Sequence, residues 1–117
     1  MSWIRKLFGK SAARAAPSAD EAPSLPAGLV LVDVRSKSEF DSGHLEGALS
    51  LPLDRIQAHI EREIPDRTTP LLLYCRSGAR SGQACAILAQ KGYAHASNGG
   101  GIGSLAMRLN RTITPRN

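Results

Sequence analysis

The chain has 117 residues, 42% of them hydrophobic and 21% charged, which is the size and composition of one globular domain and excludes general disorder. The net charge of +5 belongs to the two ends: residues 1–16 carry +4, residues 108–117 carry +3, and the stretch between them carries −2. A body so nearly neutral, with only Phe40, Tyr74 and Tyr93 as aromatics, argues against nucleic acid as a partner. No apolar run approaches the roughly 20 residues of a membrane-spanning helix, and two cysteines are too few for a disulfide framework.

Residues 1–10 place Trp3, Ile4, Leu7 and Phe8 at helical spacing among Arg5, Lys6 and Lys10. This short basic amphipathic segment reads as a frayed terminus or as a weak contact with an anionic membrane surface. It lacks the continuous apolar stretch of a secretory signal, so the expected location is the cytoplasm, with peripheral membrane contact as the variant. Residues 11–26 are rich in Ala, Ser and Pro and read as a linker. A folded domain is expected over 27–110, followed by a basic tail over 111–117.

Within that domain, Leu29 to Val32 reads as a strand buried on both faces. Ser36 and Glu39 have the spacing of a capping box and predict a short helical turn. Residues 48–51 read as a second strand, stopped by Pro52. Asp54 and Gln57 suggest another capping box, opening a helix whose Leu53, Ile56, Ile60 and Ile64 share a face. Leu71 to Tyr74 is the third strand. Residues 81–91 read as a helix ended by Gly92. Residues 94–97 read as a fourth, weaker strand, and Gly99-Gly100-Gly101 as a turn before a last helix over 104–109. The alternation predicts an α/β fold: a small, mainly parallel sheet of about four strands with helices on both faces.

The chemistry concentrates in Cys75-Arg76-Ser77-Gly78-Ala79-Arg80-Ser81. A buried strand ends on a cysteine, and a helix begins a few residues later. Ligands in open α/β sheets bind beyond the carboxyl ends of strands. A tight loop feeding a helix N-terminus turns its amides into an anion cradle. A cysteine there, beside Arg76 and Arg80, should be acidic and nucleophilic. A cysteine closing a strand is often inert packing; the loop that follows this one argues for reactivity. Cys85, ten residues on, reads as helix packing, with a resolving thiol as the other possibility. Three histidines and no Cys-x-x-Cys pair suggest no metal site, and no cofactor is expected. His59 is expected on a polar helix face and His95 in a short strand.

Asp33-Val34-Arg35, Glu39-Phe40, Gly43-His44-Leu45-Glu46-Gly47-Ala48, Pro52 and the Cys75 to Ser81 loop together resemble the rhodanese domain, in order and spacing, across roughly residues 29–105. The chain is most similar to the compact phage-shock-protein-E type, which shares Ser81-Gly82-Gln83-Ala84 and the Gly-Tyr-x-His pattern seen here as Gly92-Tyr93-Ala94-His95. The resemblance implies sulfurtransfer. Cys75 would attack the outer sulfur of thiosulfate or a related anion, release sulfite, and hand the sulfur of its persulfide to cyanide or a thiol. Arg76, Ser77, Gly78, Ala79 and Arg80 would bind the donor, and Asp33, Arg35 and His44 would support the loop. A persulfide carrier or interaction module serving a protein acceptor is the alternative. Phosphatase or arsenate reductase chemistry ranks lower, because those cysteine loops hold five residues before the arginine and this one holds four. Two departures stand out: the strand and helix that often precede the Asp-Val-Arg strand are absent, and Leu105 stands where tryptophan is common, which bears on substrate size.

Overall fold

The computed structural model describes residues 27–115. The segments over 1–10 and 11–26 therefore lie outside the described residues. Four parallel strands form the main sheet: β1 (Val30–Asp33), β3 (Leu49–Ser50), β4 (Leu71–Cys75) and β5 (Ala96–Gly101), in the order β3-β1-β4-β5. A two-stranded antiparallel ribbon joins β2 (His44–Leu45) to β6 (Ile113–Thr114).

Strand β4 occupies an inner position and all five of its residues are buried. Its side chains alternate between two cores, as the two-residue period of a strand requires. Leu71, Leu73 and Cys75 join Val32, Val34 and Leu51 in one core. That core is closed by Ile56 and Ile60 of helix α2 (Leu53–Glu63) and by Ala84 and Leu88 of helix α3 (Ala79–Gln90). Leu72 and Tyr74 join Leu31 and Leu45 in the other, beneath Leu105, Ala106 and Leu109 of helix α4 (Ile102–Leu109). Helices thus cover both faces of the sheet, as expected. Leu105 is a fully buried member of the second core, so this position serves packing.

Several local expectations are met. Helix α1 (Lys37–Ser42) starts on the Ser36–Glu39 capping box with both reciprocal hydrogen bonds formed. Helix α3 ends just before Gly92, where the Tyr93 amide turns back to the Leu88 carbonyl.

Others are corrected. No Asp54–Gln57 capping box forms: α2 opens on Pro52 with no side-chain cap, and Asp54 sits inside the first turn, where a carboxylate complements the helix dipole. The fourth strand runs over Ala96–Gly101, not 94–97, so the three glycines are strand and α4 follows them directly. His95 lies in an exposed turn, not in a strand. Helix α3 begins two residues earlier than expected, at Ala79. The stretch read as a basic tail carries β6, held to β2 through the pairs His44–Thr114 and Leu45–Ile113.

The carboxyl end of β1 is fixed by a buried ion pair. Asp33 is fully buried and Arg35 nearly so. Arg35 donates from Nε to Asp33 Oδ1 at 3.0 Å and from Nη2 to Oδ2 at 2.8 Å, and its backbone amide donates to Oδ1 at 2.9 Å. Its Nη2 also donates to the Gly43 carbonyl. The guanidinium lies over the Tyr74 ring, whose hydroxyl accepts from the Leu45 amide at 3.0 Å. One cation thereby ties β1, β4 and the turn before β2. Removing its partner leaves a buried, unpaired charge, so Asp33→Ala is expected to lower stability by about 3–5 kcal/mol in urea unfolding; a loss below about 1 kcal/mol would make the pair an ordinary surface contact.

Candidate active site

Cys75 is the last residue of β4, and its side chain faces the α2 and α3 side of the sheet. The next three residues must reverse direction to feed α3. Gly78 makes that possible at φ 101°, a left-handed conformation that other residues adopt only with strain. The turn swings the Gly78 amide onto the sulfur, with N to Sγ 2.9 Å. The Ser81 hydroxyl, fully buried in the first turn of α3, lies 3.6 Å from the same sulfur.

These contacts set the acidity of the thiol. Burial raises its pKa, but the Ser81 hydroxyl and the amides of Ser81, Ser77 and Gly78 outweigh burial and bring it down to about 7. Hydrogen bonds to the charged form favour ionisation, and a helix N-terminus acts in the same direction. Cys85 has no such donors. It packs partly buried against the first core, and burial pushes its thiol up to about 11. It is the packing residue expected.

The two loop arginines part ways. Arg76 is exposed and has no ion-pair partner among the described residues. Arg80 is held in a two-pronged pair by Glu39, Nη1 to Oε1 at 2.8 Å and Nη2 to Oε2 at 3.0 Å. Glu39 Oε1 also accepts from the Ser36 amide and hydroxyl, so one carboxylate caps α1 and clamps α3. The Arg80 hydrogen bond is the main reason the Glu39 pKa falls to about 2. This second job of Glu39 was not read from the sequence; its signals there are the capping spacing and its place in the Glu39-Phe40 pair of the family resemblance.

His44 stacks on Phe40 with ring centroids 3.7 Å apart, and its Nδ1 lies 2.8 Å from the Phe40 carbonyl. A carbonyl only accepts, so Nδ1 carries the proton. The ring is thus hydrogen-bonded to backbone, as expected of a turn residue. Beside α1, an open groove of about 540 Å³ is lined by Ser36, Lys37, Phe40, Ser50, Pro52, Asp54 and Arg55. An adjoining recess shares Ser36, Pro52 and Asp54 and reaches Arg80. Among the described residues no cluster of His, Cys, Asp and Glu could hold a metal ion, and no helix is long and apolar enough to cross a membrane.

Strand β5 backs the loop. A Cβ on Gly101 would stand 2.6 Å from the Arg76 carbonyl oxygen, closer than real contacts allow. Asn98, assigned no role from the sequence, accepts from Ser81 Oγ at 2.6 Å and donates to the Gly78 carbonyl at 3.0 Å.

The rhodanese-like domain pattern matches residues 18–102. The chain belongs to the rhodanese-like domain family. It shares 37% identity over 76 residues with the thiosulfate sulfurtransferase PspE of Escherichia coli, covering 65% of this chain and 73% of that protein. A sulfurtransferase of Allochromatium vinosum is 45% identical over 70 residues, 60% of this chain and 64% of that protein. Among solved structures, a rhodanese with anions from Escherichia coli superposes with a TM-score of 0.66 at 30% identity, covering 74% of this chain and 98% of its own. The rhodanese-like parallel sheet with helices on both faces is thus shared with that structure.

Two outcomes test this geometry. Alkylation of Cys75 by iodoacetamide should rise with pH through a midpoint near 7, with Cys85 unlabelled until far more alkaline pH, read by peptide mass. Gly101→Ala should shift the Cys75 midpoint upward, toward the ordinary thiol value of about 8.5, because the loop must move away from its added methyl.

Proposed function

We propose that this protein is a sulfurtransferase that carries sulfane sulfur as a persulfide on Cys75. The observation that carries the reading is the cluster of hydrogen-bond donors, the Ser81 hydroxyl and the amides of Ser81, Ser77 and Gly78, converging on one acidic thiol at the end of β4. Thiosulfate is the proposed donor; relatives named for thiosulfate sulfurtransfer support that choice.

The Cys75 thiolate attacks the outer sulfur of thiosulfate. A new S–S bond forms, the old one breaks, and its electron pair leaves with sulfite. The donors that stabilise the thiolate then face the terminal sulfur of the persulfide, whose negative charge they hold in place. Cyanide or a thiolate takes that outer sulfur, and the electron pair of the broken bond returns to Cys75. Arg76 is the cation free to attract the donor anion. Arg80 contributes through its backbone and through the Glu39 clamp, which keeps the start of α3 in place. Ser77, Gly78 and Ala79 contribute backbone to the cradle. Asp33, Arg35 and His44 hold the frame around it. The loop has four residues between Cys75 and Arg80, a tight fit around sulfur that leaves little room for the oxygens of a phosphate.

Intact-protein mass after incubation with thiosulfate tests the reading. Wild type should gain one sulfur, lose it on adding cyanide, and Cys75→Ser should gain none. A folded wild type that gains no sulfur would rule out thiosulfate as donor.

A further inference from the structure

The Ser81 hydroxyl has one proton and three acceptors around it: Asn98 Oδ1 at 2.6 Å, the Gly78 carbonyl at 3.1 Å and Cys75 Sγ at 3.6 Å. The Asn98 amide has a determined orientation. Its Oδ1 also accepts from the Gly100 amide at 2.9 Å, and its Nδ2 donates to the Gly78 carbonyl at 3.0 Å. A flipped amide would oppose donor to donor and acceptor to acceptor at these two contacts. Asn98 therefore touches two of the residues that address the sulfur: Gly78, whose amide points at it, and Ser81, whose hydroxyl can.

We infer that Asn98 is a positioning residue of this site, whose amide fixes the Gly78 turn and gives the Ser81 proton a resting acceptor that it leaves when negative charge appears on the sulfur. While Cys75 is uncharged, the hydroxyl proton points to Asn98 Oδ1, its shortest contact. When the thiolate forms, the hydroxyl rotates and donates to Sγ. Asn98 Oδ1 keeps the Gly100 amide and the Gly78 carbonyl keeps Asn98 Nδ2, so the rotation leaves no acceptor unpaired. It exchanges one neutral hydrogen bond for a charge-assisted one, which is roughly twice as strong. No bond to carbon, nitrogen or sulfur changes; only the direction of one O–H does.

Loss of the amide removes both parts of this arrangement. In Asn98→Ala, the Gly78 carbonyl loses its donor and competes for the Ser81 proton. In Asn98→Asp, a carboxylate holds that proton by a charge-assisted bond, faces the Gly78 carbonyl oxygen with no donor, and adds negative charge near the thiolate. Both changes disfavour ionisation, the second more. The Asn98 residue as a whole is exposed, so neither substitution opens a core cavity.

The test is the pH dependence of Cys75 alkylation by iodoacetamide in the full chain, read by peptide mass. The midpoint should rise by about one unit in Asn98→Asp and by less in Asn98→Ala, with the plateau rate at high pH within about twofold of wild type. On a Ser81→Ala background the Asn98→Ala shift should shrink, because the two side chains act through one proton. Unchanged midpoints in both variants would overturn the inference. So would a shift in Asp no larger than in Ala, a collapsed plateau, which marks a disordered loop, or shifts that simply add across the double variant. The inference rests on Cys75 as the nucleophile of the proposed reaction. Alkylation needs no sulfur donor, so its outcome is separable from that of the thiosulfate experiment.

Discussion

The residues of β4 have no solvent-facing side. Leu71, Leu73 and Cys75 must satisfy one core while Leu72 and Tyr74 satisfy the other. A slip of one residue would exchange the two sets and turn the cysteine toward α4. Pairing with β1 on one side and β5 on the other holds the register, through Val32–Leu73 and Leu72–Ser97 among other pairs. Burial on both faces therefore decides where the sulfur points. The chain then has three residues, Arg76 to Gly78, in which to turn and start α3, and the left-handed glycine is the means.

That turn makes the cradle largely from backbone. The donors that do most to lower the thiol pKa are one hydroxyl and three amides, with charge attraction between Arg80 and the thiolate beside them. Arg80 spends its charge on Glu39, and Arg35 spends its own on Asp33. Both pairs work as fasteners. The buried one holds the end of β1 beneath Tyr74, and the partly exposed one ties α1 to α3 across the mouth of the site. Amide donors keep their direction whatever the ionic strength, whereas the exposed Arg76 is screened by salt.

Much of this was legible from local pattern. The apolar run of β4, the Ser36–Glu39 cap, the amphipathic face of α2 and the loop from Cys75 to Ser81 each involve residues within a few positions of one another. Such neighbours meet as soon as the local structure forms. The expectations that failed share a different cause. Residues 94–97 carry more ordinary strand residues than the glycines after them, yet β5 forms through the glycines, because only a backbone without side chains passes this close to the Arg76 carbonyl. Residues 111–117 read as a basic tail, but Ile113 and Thr114 find edge partners in β2, far away along the chain.

Sequence alone determined the parallel α/β class, the place of Cys75 at a strand end and the loop that follows it, because strand, turn and helix N-terminus are contiguous there. Tertiary structure alone decided which loop arginine is free, and that Glu39 and Asn98 belong to the site. Glu39 meets Arg80 across 41 positions and Asn98 meets Ser81 across 17. Contacts at such separations depend on how the strands are ordered in the sheet, and no periodicity along the chain records that order.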